Sequence, residues 1–171
     1  MRAFAAFALA VALWAAGFAM DRARDWVAAT DLPPLVLESS AEVVDRNGIL
    51  LRAYTVGDGR WRMTVEPEAV DPRYIEMLVA YEDKRFYQHA GVDPRSMTRA
   101  VLQALWNGRV VSGGSTLTMQ VARILEPHRR TPAGKLRQAL RALQLEWRLD
   151  KDQILALYLN HAPFGGTVEG V

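Results

Sequence analysis

The chain has 171 residues, half of them hydrophobic and 9% aromatic, which is enough for one sizeable core and hardly for two. Its 21 basic and 19 acidic residues leave a formal charge of +2, too even a balance to require a nucleic-acid partner, so any basic site must be local. The absence of cysteine excludes disulfides and thiolate metal sites, and the three histidines, His89, His128 and His161, are too scattered for a zinc motif.

Ala3 to Met20 carries no charge and consists almost wholly of apolar residues. At about 1.5 Å per residue a helix over this stretch covers most of a hydrocarbon core of about 30 Å, with Trp26 available for the interface. Two readings are open, an uncleaved anchor over residues 1–20 and a cleaved signal peptide with Gly17 and Ala19 near the cut. The length of the run favours the anchor. Arg2 before it and Arg22 and Arg24 after it leave the orientation open. Residues 21–40, with the proline pair of DLPPLVLESS, read as a linker.

From Ala41, EVVDRNGILLRAYTV places an Asn47-Gly48 turn between two β-prone runs, the signature of a hairpin, and RWRMTV suggests a third strand. Asp71-Pro72 and Asp93-Pro94 each pair an N-cap acid with proline at the first helical position, and the second of these helices can stop at Gly108. A further helix is expected from Ser115 or Thr116. Another starts near Lys135, with Leu136, Leu140, Leu143 and Trp147 on one face, and a last one opens at Asp150 or Asp152 and runs through Tyr158.

Three stretches carry candidate chemistry. Glu82, Phe86 and His89 lie at i, i+4 and i+7, on one face if the helix persists, close to the terminating Gly91. A carboxylate there could serve as a general base, although an ordinary amphipathic helix has the same pattern. SGGSTLTMQ joins two glycines to Ser115, Thr116, Thr118 and Gln120 at a helix start, a place for an anion and equally an ordinary loop with an N-cap. Between Arg123 and Arg141 the basic residues include Arg123, Arg129, Arg130, Lys135 and Arg137, with Glu126 the only acid. That stretch would suit a diphosphate, an anionic membrane surface or a solvated helix face.

Taken in order, these segments resemble the glycosyltransferase family 51 domain of penicillin-binding proteins and monofunctional peptidoglycan transglycosylases. EDKRFYQHAG is similar to ED-x-x-F-x-x-H-x-G at Glu82, Asp83, Phe86, His89 and Gly91. GGSTLTMQ resembles G-x-ST-x-TQQ with Met119 for the first glutamine. KDQILALYLN resembles K-x-x-ILE-x-YLN with Ala156 for the glutamate. Met119, RALQLEW and NHAPFGGT are most similar to the penicillin-binding protein 1C branch. The resemblance spans roughly residues 41–171.

It implies a mainly α, lysozyme-like domain with a small N-terminal β hairpin, preceded by one transmembrane helix and held on the periplasmic side of the cytoplasmic (inner) membrane. The implied reaction polymerises lipid II into glycan strands and releases undecaprenyl diphosphate, with other cell-wall synthesis proteins as candidate partners. Glu82 would be the general base, which works best with a pKa near the operating pH and hence partial desolvation beside Phe86. Asp83 and His89 would support it, and Ser115, Thr116, Gln120, Arg123, Lys135 and Arg137 would bind the donor's sugar and diphosphate. At the family's RK-x-x-E motif the chain reads Gly134, Lys135, Leu136, Arg137, Gln138, so a metal-binding glutamate is replaced by an amide. No metal is then required, and help from Mg or Mn would be weakened. No S-x-x-K signature is present, so transpeptidase activity is not expected of this sequence. The family domain continues past GGTVEGV, and without those helices Leu155 and Leu159 are expected to be exposed and stability reduced. The competing functional readings are a lysozyme-like lytic enzyme and a membrane-bound glycan- or lipid-binding module.

Overall fold

The computed structural model describes residues 2–109 and 113–171; Ser112, which opens SGGSTLTMQ, lies outside them. The chain divides into two compact units, one running through Asp31 and the other Leu32–Val171.

The first unit is a single helix, α1 (Arg2–Ala29), of 28 residues. It exposes Phe4, Phe7, Leu13, Trp14 and Phe18, and its stretch Phe4–Ala29 is long and apolar enough to cross a membrane. Helix does not stop at Met20, as a linker over residues 21–40 would require. DRARDWVAA holds no proline or glycine, and exposed pairs join Arg22 to Asp25 and Arg24 to Asp21 across one turn. The end comes at Ala29, where the Thr30 hydroxyl donates to the Trp26 carbonyl at 2.8 Å and the proline pair Pro33-Pro34 lies close ahead.

In the second unit the expected hairpin forms from β1 (Glu42–Val44) and β2 (Leu50–Ala53), antiparallel about the Asn47-Gly48 turn. The Asp45 carboxylate accepts from the Asn47 and Ile49 backbone N–H groups, both at 2.8 Å, and Gly48 takes φ +81°. A third strand, β3 (Trp61–Arg62), also forms, but it leaves the hairpin and pairs in parallel with β5 (Val168–Glu169), which pairs antiparallel with β4 (Pro163–Gly165). The cause is a buried ion pair: Arg62 Nε and Nη2 donate to Glu169 Oε2 at 2.7 and 2.5 Å. Joining residues 107 positions apart, that contact leaves no mark on local pattern.

The helical body is α2 (Pro72–Glu82), α3 (Pro94–Asn107), α4 (Leu117–Leu125), α5 (Pro132–Arg148) and α6 (Lys151–His161). The expected caps are present: Asp71, Asp93, Thr116 and Asp150 each accept a backbone N–H of the first turn, and Gly108 ends α3 at φ +63°. Helix α5 starts a turn earlier than its apolar spacing suggests, because Thr131 caps it and Pro132 takes the first position.

The core gathers Phe86 with Leu117, Val121, Ala122 and Leu125 of α4, Leu145 of α5, and Ile154, Leu155 and Leu159 of α6. Leu155 and Leu159 are therefore buried, not exposed as expected; the face of α6 that carries them packs on α4. Helix α5 does not bury its apolar stripe whole. Its core face is Gln138, Ala142 and Leu145, whereas Leu136 and Trp147 of the apolar stripe are 62% and 55% exposed. Gln138 bonds to α4 through the Met119 carbonyl, and the small Ala142 admits a close contact from the loop before α3.

One such contact is at Gly91, whose φ is +87° and where an added Cβ would stand 2.6 Å from the Ala142 carbonyl oxygen. Replacing Gly91 by alanine combines a left-handed backbone penalty with a backbone clash, together about 2–4 kcal/mol. Chemical unfolding of Gly91→Ala should show that loss; a change below about 0.5 kcal/mol would contradict the close packing of the loop on α5.

Candidate functional site

Helix α2 ends at Glu82, and this alters the geometry expected of Glu82, Phe86 and His89. Asp83 leaves helical geometry at φ −159°, and Phe86–Gln88 form a separate 3-10 turn. The three residues therefore do not share a helix face. Phe86 is fully buried in the core, while the side chains of Asp83 and His89 meet at 2.9 Å, Asp83 Oδ2 to His89 Nε2. The same carboxylate oxygen accepts the backbone N–H of Leu117 at 3.0 Å. Leu117 is the first residue of α4, so Asp83 satisfies one of the amide groups that a helix start leaves unpaired.

One turn further along α4, Gln120 Nε2 donates to Glu82 Oε2 at 2.9 Å. Two consecutive residues at the end of α2 are thus held by two residues one turn apart on α4. The Glu82 carboxylate also acts on two tyrosines. Burial first, then the charge of Glu82 and the neighbouring Tyr74, pushes the Tyr158 hydroxyl up to about 12; Tyr74 is raised by burial and by Glu82. Tyr74 and Tyr158 are site neighbours that periodicity did not single out, although Tyr158 belongs to the YLN match.

A cleft of about 300 Å³ opens here, walled by Glu82, Asp83, Lys84, Arg85, Arg99 and Ser115, among others. Ser115 joins it to the basic stretch, because its hydroxyl accepts a hydrogen bond from Lys135. Burial and then the nearby charge of Arg123 push the Lys135 ammonium below its ordinary pKa. Arg123 and Lys135 therefore stand together. Lys84, Arg85 and Arg99 add positive charge to the wall; Arg85 is paired with the buried Asp93, which also accepts from Ser96 at 2.5 Å and from the backbone N–H of Arg95 at 3.0 Å. Asp93 was legible as a helix cap; its ion pair required the fold.

Two expected binding residues have their polar groups committed to protein partners, although Thr116 also lines the cleft. The Thr116 hydroxyl is buried, donating to the Gly91 carbonyl at 2.5 Å and accepting from Met119 N at 3.1 Å. Arg137 is exposed and pairs with Glu126, which also accepts from Arg141 Nε at 2.6 Å. That single acid takes two arginines out of the apparent basic run, and they hold its carboxyl below the usual range.

The donor set at position 138 does not fit a metal ion. Gln138 is buried, its Nε2 donates to the Met119 carbonyl at 2.5 Å, and its Oε1 faces the Lys135 ammonium at 3.3 Å. Among the described residues no cluster of three His, Cys, Asp or Glu side chains could hold one.

Behind the cleft, Lys151 fastens the loop. Its Nζ donates to the His89 carbonyl at 2.7 Å and to Glu146 Oε1 at 2.6 Å, 4.5 Å from the centre of the Phe86 ring. Thr118 donates to that Glu146 oxygen at 2.6 Å, tying α4 into the same group.

Comparison with known proteins identifies the family. A family model described as Transglycosylase matches residues 47–171. Penicillin-binding protein 1C of Escherichia coli (strain K12) is 54% identical over 140 residues, 82% of this chain and 18% of that protein. Penicillin-binding protein 1F of Bacillus subtilis (strain 168) is 37% identical over 143 residues, 82% of this chain and 20% of the relative. Penicillin-binding protein 1A of Escherichia coli (strain K12) is 37% identical over 137 residues, 79% of this chain and 16% of the relative. The chain therefore spans a fifth or less of these relatives' length. With the family model covering most of its residues, the chain belongs to the transglycosylase family.

Proposed function

We propose that this domain is a peptidoglycan glycosyltransferase that extends glycan strands from lipid II at the outer face of the cytoplasmic membrane, with α1 as its anchor. The observation that carries this reading is a single cleft in which the Glu82 carboxylate lies on one wall and Ser115, bonded to Lys135, on another. A carboxylate suits removal of a proton, and a half-buried ammonium suits a departing diphosphate.

In the proposed reaction the 4-hydroxyl oxygen of the acceptor sugar attacks C1 of the donor. The new O–C1 bond forms as the C1–O bond to diphosphate breaks with inversion. The hydroxyl proton passes to Glu82, and the bonding pair leaves with undecaprenyl diphosphate. Gln120, which donates to one oxygen of Glu82, holds the carboxylate and leaves its other oxygen for the proton. Asp83 and His89 fix the turn that carries Glu82, and Lys135 with Arg123 receives the negative charge. Thr116 is assigned to the scaffold and Arg137 to the pair with Glu126.

A lytic enzyme would also use a glutamate, but it has no leaving diphosphate to stabilise, and the Ser115–Lys135 wall would then lack a purpose. Two assays test the proposal. With fluorescent lipid II, Glu82→Gln should lower polymerisation by about 10²–10⁴-fold, the range for loss of a general base, while lipid II still binds. Polymer formation at the parental rate would contradict the assignment. Since no step uses a metal, turnover in EDTA should stay within about threefold of turnover in Mg²⁺, because the stabilising charge is carried by side chains. A fall of a hundredfold or more on chelation would count against it.

A further inference from the structure

The chain departs from the family pattern at Met119 and Gln138, and these two residues touch. Met119 is fully buried in α4 and Gln138 is buried on the facing side of α5. The Met119 carbonyl lies inside a helix, where one lone pair is committed to the N–H four residues on; the Gln138 amide, donating at 2.5 Å, uses the other. At its opposite end the amide oxygen accepts from Lys135 Nζ at 3.3 Å. The same ammonium donates to Ser115 on the cleft wall.

We propose that Gln138 is a positioning residue, whose amide donates to α4 at one end and holds the Lys135 ammonium toward Ser115 at the other, making Lys135 the permanent counter-charge for a diphosphate. The inference rests on the transferase reading above.

An amide does this where a carboxylate cannot. A carboxylate has no hydrogen to give the Met119 carbonyl, so two acceptors would face each other in a buried contact. If it turned to Lys135 instead, it would form an ion pair and cancel the charge that the diphosphate needs. A neutral oxygen steadies the ammonium and leaves its charge available. Burial and Arg123 already disfavour the charged lysine, so a steadying acceptor has work to do at this position. A divalent cation placed here would meet Lys135 and Arg123 as like charges.

The test uses the complete 171-residue chain in detergent micelles, titrated with undecaprenyl diphosphate in EDTA and again in excess Mg²⁺, with melting temperatures recorded alongside. The parent should bind equally in both. Gln138→Glu should bind about tenfold more weakly, equivalent to about 1.4 kcal/mol, and Mg²⁺ should not restore it. Gln138→Met keeps the volume and adds no charge. It should lose about threefold in affinity with its melting transition retained, and it decides the matter if the glutamate variant fails to fold.

Affinity restored to Gln138→Glu by Mg²⁺ would overturn the inference, since the site would then be a metal site lacking only its carboxylate. Parental affinity in both variants would overturn it too, because Gln138 would then serve packing alone. If the parent itself fails to bind the diphosphate, the transferase reading falls, and this inference falls with it. Binding by the parent with unaffected variants removes the Gln138 inference alone.

Discussion

The buried carboxylate of Asp83, accepting the first N–H of α4 and the His89 ring, fixes the turn from which Glu82 enters the cleft. A helix start leaves N–H groups unpaired, and burying them without partners is costly. In α4 two of those needs are met, Leu117 by Asp83 and Met119 by the Thr116 hydroxyl. Because Asp83 follows Glu82 directly, the demand of α4 for an acceptor also determines where the Glu82 carboxylate goes, and Gln120 reaches it from the next turn. Structure and proposed chemistry thus share one contact.

The surrounding packing protects that contact. Phe86 fills the core beneath the turn, Lys151 bridges the His89 carbonyl to Glu146, and Gly91 lets the loop lie against the backbone of α5. These interactions come from α4, α5 and α6, so the loop after α2 is held by three helices although it contains little regular structure. On the other wall, Gln138, Lys135 and Ser115 form a second chain of contacts between α4, α5 and the cleft.

Much of this was legible in the sequence wherever the cause is local. The Asp-Pro caps, the Asn47-Gly48 turn and the stop at Gly108 all appear as read, because each is decided within a few residues. The ordered motifs brought together Glu82, Asp83, His89, Gln120, Ser115 and Lys135, which the structure places around one cleft or directly behind it. Patterns failed where distant partners decide. Helical spacing put Phe86 beside Glu82, but Asp83 breaks the helix to reach α4. Apolar spacing put Leu136 and Trp147 on one face of α5, but the residues of that helix that the fold buries include Gln138 and Ala142. The resemblance offered Arg137 as a ligand for the diphosphate, and the folded chain pairs it with Glu126. The β3–β5 pairing depends on a contact that no window of sequence contains, and the Arg85–Asp93 ion pair, though only eight residues apart, depends on the turn that brings the two together.

The account is tested most directly at Asp83, through the turnover of labelled lipid II by Asp83→Asn set beside its diphosphate affinity. If the Asp83–Leu117 contact places the proposed base, turnover should fall by about a hundredfold, the cost of misplacing a reacting group by an ångström, while diphosphate affinity changes little. Turnover at the parental rate in a folded Asp83→Asn protein would contradict it, because Glu82 would then hold its position without that contact.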